Sequence, residues 1–261
     1  FAVYLEANVD ATEDLFIQAA IRYEDYSDFG AETIYKLAAK YDITDNLGVR
    51  GSFNTGFRAP TPGQQGTTNI STRLPQGVPV AVGLFPAGGP VAQALGADEL
   101  LPETSDGISI GFVGNIGELD FTIDYYSIDV DSLFAAISTR TVSTDPTNAS
   151  AYANFLALDA AGVAGANTIG GVNYFQNGYD VNSSGVDAVV TYPMDTDLGL
   201  SVLSLTYGYN EREFESDPSA YLNAEGIYDA ENFDPNTRAI ISLIHTWDDF
   251  AFLIRTSYWG E

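Results

Sequence analysis

Cysteine is absent from all 261 residues. No disulfide, thiolate nucleophile or Cys-ligated metal is therefore available, and the redox compartment stays open. Basic residues are scarce: ten Lys and Arg stand against 36 Asp and Glu, giving a net charge of −26. No nucleic-acid partner is expected, because neutralising phosphates takes clustered cations. Such acidity often accompanies disorder, yet 45% hydrophobic and 13% aromatic residues argue for a folded chain. Histidine occurs once, at His245, and no HExxH helix is present. General-base work needs a positioned partner, so the chain is not read as an enzyme, and no cofactor is implied. Asp195-x-Asp197-x-Gly199 lacks the third oxygen ligand and the distal Glu of a calcium loop and reads as a turn. Asp129 and Asp131 read as solvated carboxylates, and no metal site is expected.

Long uninterrupted hydrophobic runs are also missing. Residues 74–97 carry no charge over a length that could span a bilayer. Pro79, Pro86 and Pro90 with Gly83, Gly88 and Gly89 would break such a helix repeatedly, so the stretch is expected to be a loop. There is no initiator Met, no basic-apolar leader, and the final residues Ser257–Glu261 stop in mid-pattern. The chain is accordingly expected to be a piece of a longer protein.

What is present is a repeat of two residues. In 47–57, Leu47, Val49, Phe53 and Phe57 alternate with Gly48, Arg50, Ser52, Asn54 and Gly56. A period of two belongs to a β-strand facing a different medium on each side. The same dyad predicts ten strands, near 1–8, 14–26, 33–42, 47–57, 103–114, 118–130, 172–192, 199–213, 236–246 and 250–259. Short connections (Asn8–Glu13, Ile43–Asn46, Asn115–Gly117, Pro193–Leu198, Trp247–Asp249) alternate with the longer Ser27–Glu32, Arg58–Pro102, Asp131–Gly171 and Phe214–Pro235. Bacterial barrels show that asymmetry, short on the periplasmic side and long outside. The loop at 131–171 is expected to hold one short helix over Ala151–Ala160, capped by Ser150, with Tyr152, Phe155 and Leu156 on one side and Gly162 after it.

Alternation alone would also suit a soluble sandwich; the placing of the aromatics separates the two. Tyr41, Tyr192 and Trp247 sit at short-turn ends, and Tyr23, Phe57, Tyr125, Tyr209 and Tyr258 near long-loop ends, with aliphatic residues between. Two aromatic belts around an aliphatic band fit a bilayer with two interfaces. The apolar set must then face lipid. Turning Lys36, Lys40 or Arg50 outward would cost up to about 2–4 kcal/mol each near the midplane. Arg22, Lys36, Lys40, Arg50, Arg212, Arg238 and Arg255 all fall on the expected inner face.

Specific strings sharpen this reading. Arg22–Gly30 (RYEDYSDFG), Thr44–Leu47 with Gly56–Thr61 (GFRAPT), Leu119–Tyr126 through Asp131, Asn173–Phe175 with Asn177-Gly178 and Gly185–Asp187, and Asp234-Pro235 with Arg238 resemble TonB-dependent outer-membrane receptors. The likeness covers nearly the whole chain, loops excepted. It implies a barrel of about 22 strands closed around a plug, energised by the inner-membrane TonB complex, which captures a scarce nutrient such as siderophore-iron, cobalamin or an oligosaccharide.

The expectation is therefore an all-β fold: an antiparallel up-and-down transmembrane β-barrel, partial, with about ten strands in five hairpins and two open edges. Residues 1–261 would form part of one receptor barrel domain, lacking plug and terminal strands. Partners would be outer-membrane lipid, a small nutrient ligand, and the TonB complex through the plug; the location would be the bacterial outer membrane. Arg58, which ends a strand and opens the longest loop, could hold an anionic or hydroxyl-rich ligand through its planar donor fork, or pair with a loop carboxylate. Tyr26, Tyr126 and Tyr179 could stack on a ligand in the mouth, or pack within loops and interfaces. A plug-free diffusion porin is the nearest alternative, and a secreted acidic β-sandwich adhesin a more distant one.

Overall fold

The computed structural model describes residues 1–27, 29–232 and 234–260. In chain order the strands are β1 (Ala2–Asp10), β2 (Leu15–Tyr26), β3 (Gly30–Thr44), β4 (Leu47–Arg58), β5 (Asn69–Arg73), β6 (Val80–Leu84), β7 (Glu103–Ile116) and β8 (Leu119–Asp131). They continue as β9 (Phe134–Ala136), β10 (Arg140–Thr141), β11 (Ile169–Asn173), β12 (Phe175–Asn177), β13 (Val181–Thr196), β14 (Gly199–Phe214), β15 (Thr237–Trp247) and β16 (Phe250–Gly260). Four α-helices lie between them: α1 (Pro62–Gly66), α2 (Pro90–Ala94), α3 (Ala149–Ala160) and α4 (Ala224–Asn232). No helix among the described residues is long and apolar enough to cross a membrane.

Ten strands form one antiparallel sheet in the order β1-β2-β3-β4-β7-β8-β13-β14-β15-β16, an up-and-down meander whose two outermost strands are its edges. Four of its connections are two-residue turns: Asp45-Asn46, Gly117-Glu118, Asp197-Leu198 and Asp248-Asp249. Gly117 (φ +63°) and Asp248 (φ +48°) adopt the left-handed backbone that tight hairpins demand, which Gly and Asp tolerate.

The pairing register settles which side chains share a face, because residues opposite one another in a ladder point the same way. From β1 to β16 the row Leu5, Ile21, Tyr35 continues on the same side as Phe53, Ile108, Ile123, Ala188, Leu205, Ile241 and Ile254. The aromatic belt residues Tyr23, Tyr41, Tyr125, Tyr192, Tyr209, Trp247 and Tyr258 lie on that side too. Its aliphatic band meets no second protein layer among the described residues: Leu37 is 56% exposed and Ile123 45%. A sandwich would have buried this face, so the sandwich alternative fails. Hydrocarbon is the medium that such a band fits.

The buried core sits instead in the long connections. Leu158, Val172, Tyr174 and Ala92 are fully buried, packed with Phe85, Leu95, Ile137, Val142 and Ile169. These residues come from 59–102 and 132–180, which fold together around a four-stranded sheet of order β10-β11-β6-β5. A small pair, β12 with β9, ties the second connection back on itself. Tyr221, from the connection between β14 and β15, packs against the same core. The three long connections thus make one cap.

Several local expectations need correction. The strand expected over 172–192 is split: β11 and β12 belong to the cap, and the wall strand starts at Val181 and runs on to Thr196. Apolar residues recur on both sides of the break (Val172 and Tyr174, then Tyr179 and Val181), so the change of sheet was not read from the sequence, although the alternation shifts phase there. Residues 193–196 remain in register with 199–202 despite Pro193, leaving a tighter turn than expected. The connection after Tyr26 shrinks to a few residues, of which Asp28 lies outside the described set. Helix α3 is capped by Asn148, whose Oδ1 accepts the Ala151 N–H at 3.3 Å, not by Ser150. Its buried residues are Ala151 and Leu158, with Phe155 partly buried, whereas Leu156 is exposed. The long connections also contain three α-helices beyond the one expected.

Candidate ligand mouth and inner wall

The face opposite the aliphatic band is polar. Following the register, Arg22 shares it with Lys36, Lys40 and Arg50 through the β2–β3 and β3–β4 ladders. It carries on through Gly111 and Asp124 to Asp187, Gly208 and Arg238. Arg212 and Arg255 fall on it as well, opposite Ser183 and Ser242. All seven basic residues expected inside therefore share one face of the sheet.

Several of these charges are paired along this face. Arg50 reaches across Gly111 to Asp124, with Nε–Oδ1 at 2.8 Å and Nη2–Oδ2 at 2.5 Å. The glycine is required: a Cβ at 111 would collide with Asp124 Oδ1. Tyr126 lies over Gly185 in the same manner, where a Cβ would come within 2.8 Å of the ring, and its hydroxyl donates to Asn210 Oδ1 at 3.0 Å. Ser183 Oγ donates to the same oxygen at 2.8 Å. Arg22 pairs with Glu24, which also accepts the Tyr26 hydroxyl. Lys40 Nζ pairs with Asp42 Oδ1 at 2.7 Å. Arg255 Nε donates to Ser242 Oγ at 3.0 Å, and Arg238 stands 4.3 Å above the Trp259 ring. Lys36 lines a trough of about 560 Å³ with Tyr4, Glu6, Arg22, Ser52 and Asn54. Arg212 borders a narrow cleft with Asp234 and Asn236.

At the cap end, Arg58 and Glu103 are directly opposed in the β4–β7 ladder. Arg58 Nε–Oε2 is 2.5 Å and Nη2–Oε1 is 2.6 Å, a two-pronged ion pair. The cap descends onto the inner face here. Val130, Val181 and Phe214 of the wall pack with Leu133, Ala135, Tyr179, Tyr221 and Leu222. Tyr179 is buried, edge-on to Phe214 with centroids 4.7 Å apart. Tyr26 stacks on Phe29 at 4.4 Å and meets Phe57 at 6.1 Å. Of the four expected contact residues, Tyr126 and Arg58 thus stand on the polar face of the sheet, Arg58 at its cap end, Tyr26 at the end of β2, and Tyr179 under the cap.

Above the outer belt, on the apolar side of the ladder, Asp106 opposes Asp129 and Thr104 opposes Asp131. Burial and the neighbouring carboxylates of Asp180, Asp106 and Asp129 push the Asp131 carboxyl up from its ordinary value. Glu215 is raised for the same reasons, with Asp129, Asp131 and Asp180 as its neighbours. No group of three His, Cys, Asp or Glu suited to a metal occurs among the described residues.

Glu103, Asn210, Phe134 and Trp259 were not singled out from the sequence. A usable signal existed for Glu103. Arg58 ends one expected strand and residue 103 begins the next, so antiparallel pairing across the intervening connection sets them opposite each other.

The family described as TonB dependent receptor-like, beta-barrel matches residues 1–259. Among solved structures, the siderophore receptor PirA from Pseudomonas aeruginosa is similar with a TM-score of 0.65 at 15% identity, over 99% of this chain and 39% of that one. A mutant of the ferric enterobactin receptor from Pseudomonas aeruginosa, in complex with enterobactin, gives 0.66 at 14% identity over 99% and 32%. The siderophore receptor PirA from Acinetobacter baumannii gives 0.59 at 13% over 100% and 34%. The chain therefore spans between about a third and two fifths of the length of these proteins.

Proposed function

The chain belongs to the TonB-dependent receptor β-barrel family, and on that premise we propose that the protein containing it captures a scarce nutrient at the bacterial outer membrane and passes it inward. Siderophore-iron, cobalamin or an oligosaccharide is the cargo class, with energy supplied by the TonB complex through a plug. Residues 1–261 form part of the one barrel domain. The observation that carries this reading is the two-sided sheet. A continuous aliphatic face lies between aromatic belts, and a charged face lies behind it with a folded cap over one end.

The chemistry of capture follows from that arrangement. Arg58 offers a cation at the mouth, and Tyr26 and Tyr126 offer ring faces for stacking. Tyr179 shapes the mouth from beneath the cap. Lys36, Arg212, Arg238 and Arg255 supply positive charge along the inner wall of an otherwise acidic protein, so an anionic ligand gains most by entering the lumen. The family is one of receptors, not enzymes, and none of the constellations described calls for catalysis. A strain deleted for the gene tests the proposal through uptake of radiolabelled ferric siderophores, cobalamin and maltooligosaccharides at nanomolar supply. One of these is expected to fall to background, and to do so equally in the parent strain once the proton gradient is dissipated. Unchanged uptake of every class in the deletion strain would sink the proposal.

A further inference from the structure

Glu103 is one of three buried polar or charged residues among those described, at 4% exposure. A carboxylate taken out of water must be saturated by donors or it is costly. Three donors converge on it: Arg58 Nε, Arg58 Nη2 and the backbone N–H of Phe134. They come from widely separated parts of the chain, 45 residues before it and 31 after it. Phe134 completes a ring of contacts, because the Arg58 guanidinium sits 5.2 Å over its aromatic face.

The surroundings of Phe134 extend the connection in both directions. Its side chain packs with Ala87 and Leu100 from the 59–102 segment and with Phe175. The next residue, Ala135, enters the cluster that seats the cap on Val130, Val181 and Phe214. Ile137, two residues further on, belongs to the main cap core. Arg58 itself keeps a side chain that is 57% exposed while its partner is 6% exposed. Glu103 engages only Nε and Nη2, which leaves the Nη1 donors directed elsewhere.

We infer that Glu103 is a positioning residue that locks the mouth cation Arg58 and the root of the 132–180 segment into one junction, so that the cap and the cation move as a unit. A group that engages Arg58 then acts on the cap without touching it. The ligand-facing part of this inference rests on the uptake reading above; the mechanical coupling does not.

Amide hydrogen exchange on the intact protein, purified in detergent, tests the coupling without any ligand. Glu103→Ala is expected to speed exchange in peptides covering 132–142 by about tenfold or more. Arg58 makes no hydrogen bond to that segment, yet Arg58→Gln is expected to speed the same peptides, because it strands a buried carboxylate. Peptides within β8 and β14 should exchange as in the parent. The double variant Arg58→Gln/Glu103→Gln removes both charges together. It is expected to exchange more slowly at 132–142 than Arg58→Gln alone, the non-additivity that marks direct coupling. If Arg58→Gln misfolds, the double variant is compared with Glu103→Gln instead. Faster exchange at 132–142 in the double variant is then expected, since the amide oxygen introduced by Glu103→Gln alone still accepts from the Phe134 N–H and from Arg58. Parent-like exchange at 132–142 in Arg58→Gln, or strictly additive effects in the double variant, would overturn the inference. A failed uptake assay would leave these exchange results standing, and the converse also holds.

Discussion

Leu205 and Thr206 are neighbours in β14 that point in opposite directions, and exchanging either for Arg is the sharpest test of the two-medium sheet. Leu205 pairs with Val190 and Ile241, inside the aliphatic band and four residues from Tyr209 of the outer belt. Four residues are about 13 Å along a strand, which places Leu205 deep in the hydrocarbon. An Arg there is expected to cost roughly 2–4 kcal/mol. At about 1.36 kcal/mol per decade, that shifts the folding equilibrium by roughly 30- to 900-fold. Thr206 pairs with Val189 and Ile240 on the inner face, close to the Asp187–Gly208 rung. Arg at 206 meets water and a nearby carboxylate, and its cost should stay within about 0.5 kcal/mol. Urea unfolding of the intact protein in lipid vesicles, read by the gel-mobility difference between folded and boiled barrel, measures both. Equal costs, or a larger cost for Thr206→Arg, would refute the assignment of faces. The uptake reading would fall with it.

Other outcomes follow from the same geometry. Gly111→Val would force a side chain into the space Asp124 occupies, so the Arg50–Asp124 pair should be lost; a fall in unfolding midpoint with Gly111→Val that exceeds that of Asp124→Asn checks this. Leu158→Ala empties a fully buried position of the cap and should cost about 2–5 kcal/mol of cap stability. Limited proteolysis should then cut within 132–180 while the wall strands stay protected. Asp131→Asn should slow amide exchange at the root of the cap at pH 7. The sign follows from the raised carboxyl: its ionised form is disfavoured in the fold, so a penalty exists above its folded value and is relieved as pH falls toward the ordinary value near 3.8. The difference between parent and variant should therefore vanish on acidification. A difference that grows at low pH would contradict the repulsion argument.

The two faces of the wall were legible in the residues themselves. Alternation through Leu15, Ile17, Ala19, Ile21 and Tyr23 against Gln18, Arg22 and Glu24 is a local property of extended backbone, and no long-range contact is needed to read it. The turns were legible for the same reason, since Asp45-Asn46 and Gly117 carry their own backbone preferences. What local pattern could not tell was where a strand leaves one sheet for another. Residues 172–177 and the wall strand from Val181 were expected as a single run, and pairing with Gly83 and Phe134 assigns the first part to the cap.

The two-sided character of the sheet, the hairpin order and the sharing of one face by the basic residues were determined by the sequence alone, because each depends on a two-residue period and on turn chemistry. Tertiary structure decided that the long connections condense into one cored cap, that Asp124 and Tyr126 lie over glycines of adjacent strands, and that Glu103 gathers Arg58 and Phe134. These are meetings between residues a dozen or more positions apart, and their energy comes from shared burial and saturated donors, which no local window of sequence contains.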